Sequence, residues 1–269
     1  MGPRAPVLSR VSPGNLAAVY RACNYAFLFA PVFHPGMRWV APIRRELGWR
    51  TIFNLLGPLS NPVDGTSGSS SSSSGGGDGD SIIEARLLGV ARDDLGPVFA
   101  DALRMSGARK GLVVCGKEQL DEVSCAGPTL CWQLVSSAGT GEVGVEHFVV
   151  TPGDFGLSSH ALAEVSPGGD PGQNAGLLGR VLRGELDADA PLLEFVLMNT
   201  AALLVVAGVC EADESAMGPG DDGRVVKERG PGGQRWKEGV RRARWAIASG
   251  EAWRQWSAFV DVTHALPDE

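Results

Sequence analysis

Residues 84–115 read EARLLGVARDDLGPVFADALRMSGARKGLVVC, and this stretch decides the fold class. Residues 84–91 form a mostly apolar run, read as a strand. Residues 93–107 follow as a helix, with Asp93 or Asp94 as cap and Gly107 at the stop. Residues 111–115 (GLVVC) are a short apolar run, as a buried strand requires. Strand, helix and strand in that order predict an α/β sheet with right-handed crossovers.

Working outward, residues 130–136 and 144–150 read as a strand pair. Residues 14–30 read as a helix running into an apolar stretch, and 174–184, 189–210 and 236–263 read as helical. Two segments are expected outside any core. Residues 64–80 (DGTSGSSSSSSGGGDGD) are a flexible Ser/Gly insertion, and 214–234 a Gly-, Pro- and charge-rich disordered loop. The remainder of 1–269 reads as a single α/β domain, a central sheet flanked by helices, without internal repeats. Gly139, Gly141 and Gly144 spell G-x-G-x-x-G, but a dinucleotide loop must open a helix. VEHFVV follows and alternates as a strand, so a hairpin turn is expected. The Gly75–Gly77 run lacks the Lys-Ser/Thr pair of a P-loop.

The 269 residues are 43% apolar and 20% charged, enough for a sizeable core. Lys plus Arg number 24 against 31 Asp plus Glu, a net charge of −7. That balance argues against a nucleic-acid-coating protein, yet leaves room for a small anionic substrate. The five cysteines are odd in number and match no zinc spacing, so a reduced, cytoplasmic compartment is the simplest reading. The first residues show no apolar signal-peptide region. Residues 192–210 approach membrane-spanning length but carry Glu194, Asn199 and Thr200, so a buried helix is expected and no membrane partner.

Two places could hold chemistry. Residues 27–62 are punctuated by Pro31, Pro35, Pro42, Pro58 and Pro62, with a helix expected between Pro35 and Gly48 and a rigid turn at Gly57-Pro58. Arg44 on that helix could fork a carboxylate, or lie on a solvated face. His34 could donate to a ligand, or be a satisfied core histidine. The second place is Gln119-Leu120-Asp121-Glu122-Val123-Ser124, beyond the end of the buried strand GLVVC. Ligands in open α/β sheets gather there. Asp121 and Glu122 could hold Mg²⁺ together with substrate phosphates, or form a solvated acidic turn.

The run from His34-Pro35-Gly36-Met37 through Arg44-Arg45-Glu46-Leu47-Gly48-Trp49-Arg50-Thr51-Ile52-Phe53-Asn54-Leu55-Leu56-Gly57-Pro58-Leu59-Ser60-Asn61-Pro62 closely resembles the anthranilate phosphoribosyltransferase family. Gln119 to Ser124 resembles that family's Leu-Asp-Glu metal block. Asn174-Ala175, the helix around Asn199-Thr200-Ala201-Ala202, and Gly239 to Gly250 resemble its C-terminal helices. The resemblance implies a phosphoribosyltransferase and nucleoside-phosphorylase-like α/β fold. It implies transfer of phosphoribosyl from phosphoribosyl pyrophosphate to the anthranilate amine, a step of tryptophan biosynthesis, with Mg²⁺ as cofactor. It also implies that Arg44 contacts the anthranilate carboxylate, that His34, Gly57 and Pro58 line the anthranilate channel, and that Asp121 and Glu122 bind Mg²⁺.

The sequence also departs from the family. Its Gly-Thr-Gly-Gly-Asp loop and Lys-His-Gly-Asn-Arg segment, which cradle phosphoribosyl pyrophosphate, do not occur before Phe27. Nor do the helices of its usual homodimer. The expectation is a partial glycosyltransferase domain, weakly active or inactive alone and poorly soluble. A non-catalytic binding protein on the same scaffold and a nucleoside phosphorylase are the alternatives. The Arg-Thr-Ile-Phe-Asn-Leu-Leu-Gly-Pro-Leu block favours anthranilate transfer over the phosphorylase. The basic stretch 235–244 (RWKEGVRRAR) reads as a solvated helix face rather than a nucleic-acid surface.

Overall fold

The computed structural model describes residues 4–49, 51–60, 84–137, 139, 141–166 and 168–267. The Ser/Gly insertion expected at 64–80 lies outside them. Along the chain run α1 (Leu16–Ala22), α2 (Ala30–Phe33), α3 (Met37–Leu47), α4 (Ile52–Leu59), β1 (Ala85–Gly89), α5 (Leu95–Met105), β2 (Lys110–Gly116), β3 (Thr129–Ser136), β4 (Val143–Val150), α6 (Pro171–Leu182), α7 (Pro191–Ala207), α8 (Trp236–Ala248) and α9 (Glu251–Ala265). They form two compact units. One comprises Met1–Thr66, Gly169–Glu185 and Ile247–Glu269; the other comprises Ser67–Gly168 and Leu186–Ala246.

The second unit holds the sheet, in the order β1-β2-β3-β4. β1 and β2 are parallel, from Ala85 opposite Lys110 to Gly89 opposite Val114, and α5 makes the crossover. β3 and β4 run antiparallel to their neighbours. The link from Gly116 to Thr129 carries no helix, so β3 returns antiparallel as a short link demands. Gly111 to Gly116 are all buried, so β2 is covered on both faces, as its unbroken apolar run foretold. The expected strand pair is β3 and β4; Gly139 and Gly141 lie between them, and Gly144 lies in β4 opposite Val135.

Small residues let the helices approach. A Cβ on Gly96, in the first turn of α5, would sit 2.3 Å from the Trp132 ring on β3. A Cβ on Gly239 of α8 would sit 2.9 Å from Ala201 of α7. α5 stops as read, with Asp94 at the N-cap and Gly107 left-handed (φ 86°) after the last turn. α7 buries Leu193, Leu197, Met198, Ala201, Ala202, Val205 and Val206 in this unit. No helix among the described residues is long and apolar enough to cross a membrane.

The loop expected to be disordered at 214–234 is instead tied down. Asp221 accepts from the Met217 N–H at 2.8 Å, the Ser215 hydroxyl at 2.7 Å and Arg241 at 3.0 Å. Glu238 of α8 accepts from the Val226 N–H at 2.9 Å. Composition registers a polar, glycine-rich segment; it cannot register that buried carboxylates hold it. The same pairings use up much of the basic stretch, since Arg241 and Arg242 bond Glu238 and Arg244 donates to the Ala188 carbonyl. Arg235 is buried and donates to the carbonyls of Cys210, Glu211 and Ala212. The solvated basic face read from 235–244 is therefore corrected.

The first unit is helical: α1 to α4, α6 and α9. Val11, Val19, Cys23, Phe33 and Phe259 form its core. The single helix read over 236–263 is two helices, α8 and α9, parted at Gly250 (φ 77°). A left-handed glycine ends the helical hydrogen-bond run at little steric cost. On α3 and α4 several described apolar side chains stay open. α3 buries no residue, Trp39 and Trp49 are 70% and 79% exposed, and Ile43, Leu47, Ile52 and Leu56 are exposed as well.

Candidate functional site

The four anthranilate residues named above all lie in the helical unit. His34 is the half-buried C-cap of α2, its N–H on the Ala30 carbonyl at 2.8 Å. Its own carbonyl accepts from the Met37 N–H at 2.9 Å, which starts the turn into α3. Arg44 is half-buried in the last turn of α3, which ends on the left-handed Gly48 (φ 64°). Gly57 and Pro58 lie in the final turn of α4, not in a separate rigid turn as read from the sequence. Gly57 is exposed, and a Cβ there would meet nothing within 4 Å.

Asp121 and Glu122 lie in the sheet unit, beyond the carboxyl end of β2. Gly116 ends β2 and turns the chain tightly: its N–H bonds the Leu120 carbonyl at 2.7 Å, and its carbonyl accepts from Gln119 at 2.9 Å. The turn forces Gln119 into the left-handed region (φ 64°), the only non-glycine there among the described residues. Both carboxylates are exposed, and Val123, Ser124 and Cys125 behind them are buried. Crowding by surrounding atoms and the Asp121 charge push the Glu122 carboxyl above its ordinary range. Burial, aided by Asp93 and Asp121, likewise raises the Cys115 thiol. Burial is the larger cause of both shifts, and the neighbouring carboxylate charge, which a cation would relieve, is the smaller. No group of three or more metal-ligating side chains exists among the described residues. Two carboxylates, with phosphate oxygens and water completing the shell, are the donor set Mg²⁺ takes. The pair therefore fits that ion.

The loop is held from several sides. Val123 N–H donates to Asn199 Oδ1 at 2.9 Å, and Asn199 Nδ2 donates to the Val123 carbonyl at 3.1 Å. Ser124 N–H donates to Thr129 Oγ1 at 2.9 Å, and the Ser124 hydroxyl to Glu118. The Cys125 carbonyl accepts from His160 N–H at 2.9 Å, and His160 Nε2 bonds the buried Glu194 at 2.8 Å. Beneath the loop, a Cβ on Gly89 would lie 1.7 Å from the Asp121 carbonyl oxygen. Sequence reading named none of these supports as such. An isolated glycine inside a strand run was the available signal for Gly89, since it marks close backbone approach. Nothing local marked Asn199, 76 positions away.

Comparison with known proteins gives one family. The model described as "Glycosyl transferase family, a/b domain" matches residues 9–69 and 77–253. The anthranilate phosphoribosyltransferase of Schizosaccharomyces pombe is 41% identical over 256 residues, 95% of this chain and 59% of that protein. That of Stenotrophomonas maltophilia strain R551-3 is 33% identical over 95% of this chain and 60% of its own length. Among solved structures, the Saccharomyces cerevisiae anthranilate phosphoribosyltransferase in complex with PRPP and Mg superposes with a TM-score of 0.75 at 29% identity, covering 97% of this chain and 60% of that one. The same yeast protein in complex with 4-fluoroanthranilate gives 0.74 at 30% identity, over 96% and 60%. The chain thus spans about three fifths of the length of the relatives it matches.

Proposed function

This chain belongs to the glycosyl transferase family of that a/b domain, and from that premise we propose that it serves phosphoribosyl transfer from phosphoribosyl pyrophosphate to anthranilate. The observation that carries the reading is the likeness, over 97% of the chain, to an anthranilate phosphoribosyltransferase solved with PRPP and Mg. The position of Asp121 and Glu122 beyond the carboxyl end of β2 supports it.

In the transfer, the anthranilate nitrogen forms a bond to the anomeric carbon as the bond to the pyrophosphate oxygen breaks, and the amine loses a proton. The nucleophile is uncharged, so positioning can supply much of the rate. Arg44 is assigned the anthranilate carboxylate, which a guanidinium can fork with two parallel N–H···O bonds. His34, Gly57 and Pro58 are assigned the walls of the acceptor channel. Asp121 and Glu122 are assigned Mg²⁺, which when bound stabilises negative charge on the departing pyrophosphate. The five cysteines are free and buried, in keeping with a reducing cytoplasm. Burial lifts Cys131 to about 12 and Cys210 to about 11, which leaves those thiols inert.

Two experiments test the assignments. Calorimetric titration of anthranilate into the chain should give weaker binding for Arg44→Ala by ~2–4 kcal/mol, the cost of removing one partner of a desolvated charge pair. An unchanged dissociation constant would remove Arg44 from the site. With both Asp121→Asn and Glu122→Gln in place, the Mg²⁺ concentration needed for phosphoribosyl pyrophosphate binding should rise. An unaltered metal titration would count against the acidic pair.

A further inference from the structure

Asn199 stands on α7, and every polar atom of its amide is spent. Oδ1 accepts the Val123 N–H at 2.9 Å, while Nδ2 donates to the Val123 carbonyl and to the Phe195 carbonyl, each at 3.1 Å. One side chain thus grips both backbone polar groups of Val123, the residue that directly follows Asp121 and Glu122. On the other side of the pair the Asp121 carbonyl rests against Gly89 of β1, where a Cβ would lie 1.7 Å away. Upstream, Gly116 pins Leu120 in a left-handed turn at Gln119. The two carboxylates are therefore borne on a segment clamped at both ends. The downstream clamp is made by a side chain from a helix outside the sheet.

We propose that Asn199 is the positioning residue of the acidic pair, holding the backbone at Val123 so that Asp121 and Glu122 face a divalent cation together. The proposal rests on the assignment of that pair to Mg²⁺. Partners that orient metal ligands without touching the ion commonly change metal affinity by about 10–100-fold when lost. Asn199 would act in the same way through the Val123 backbone, next in the chain to Glu122.

The test is a Mn²⁺ titration of the full chain by electron paramagnetic resonance, Mn²⁺ standing in as another cation that favours oxygen ligands. Asn199→Ala should weaken Mn²⁺ binding about 10-fold, while amide exchange at Val113 and Trp132 in the sheet stays slow. Retained affinity in Asn199→Ala, with affinity lost in the Asp121→Asn, Glu122→Gln double variant, overturns the positioning role and leaves the metal assignment standing. Unchanged affinity in the double variant overturns the metal assignment, and the proposal with it. Should Asn199→Ala not fold, the unsubstituted chain still decides. Coupling between two sites is reciprocal, so saturating Mg²⁺ should slow exchange of the Val123 amide several-fold. An exchange rate indifferent to Mg²⁺ overturns the proposal.

Discussion

Glu238→Ala should destabilise the sheet unit by about 3–5 kcal/mol, because it strips two half-buried arginines of their shared carboxylate. Glu238 is fully buried and accepts four hydrogen bonds: from Val226 N–H at 2.9 Å, Arg241 Nε at 2.8 Å and Nη2 at 2.7 Å, and Arg242 Nε at 2.8 Å. Arg241 in turn reaches Asp221 at 3.0 Å and Ser215 at 2.8 Å, so the loss spreads to the loop that α8 holds. Equilibrium urea unfolding followed by tryptophan fluorescence would measure it, since Trp236 and Trp245 sit on the same helix. A loss under 1 kcal/mol would mean that the arginines find water, and that the network is not what orders residues 214–234.

The same network sets an acid limit. Burial raises the Glu238 carboxyl, but its bonds to Arg241 and Val226 and the charges of Arg241 and Arg242 outweigh burial and hold it below its ordinary value. Bonds from Met217, Ser215 and Arg241 hold Asp221 at about 2. A carboxylate depressed in the folded state stabilises above its unfolded pKa, and that stabilisation is lost as pH falls through the folded value. Stability should therefore fall between about pH 4 and pH 2, where unfolded carboxylates are already taking up protons. In Glu238→Gln that fall should be shallower.

Gly89→Ala should cost about 3 kcal/mol, the upper end of what overpacking exacts, and should disturb the acidic pair directly. The added Cβ would meet the Asp121 carbonyl oxygen at 1.7 Å and its carbon at 2.4 Å. Both are backbone atoms, so no rotamer change relieves the clash. Either β1 moves away from its pairing with β2, or the loop carrying Asp121 and Glu122 lifts. Calorimetric unfolding and the Mn²⁺ titration separate the two. A lifted loop weakens Mn²⁺ more than it lowers the melting temperature, whereas a parted strand lowers both. A variant indistinguishable from the parent by both measurements would refute the close approach.

Length, apolar content and the run from 84 to 115 determined the fold class, because periodicity and helix stops are local properties of the chain. The apolar run 111–115 became the most buried strand, and Gly107 became the stop for the reason that made it legible, its freedom in the left-handed region. The motif blocks marked His34, Arg44, Asp121 and Glu122 as candidates by residue type and order alone. What the tertiary structure decided was where long-range partners meet. The segment 214–234 reads as disorder until Asp221 and Glu238 are placed against Arg241. The basic stretch reads as a solvated face until Arg235, Arg242 and Arg244 are seen to be spent within the fold. Residues 236–263 read as one helix, yet the left-handed Gly250 parts them into α8 and α9. Asn199 could not be assigned to Val123 by any pattern, because a hydrogen bond across 76 positions leaves no periodic trace. Local sequence sets the backbone's preferences; the satisfaction of buried polar groups is settled only when distant segments meet.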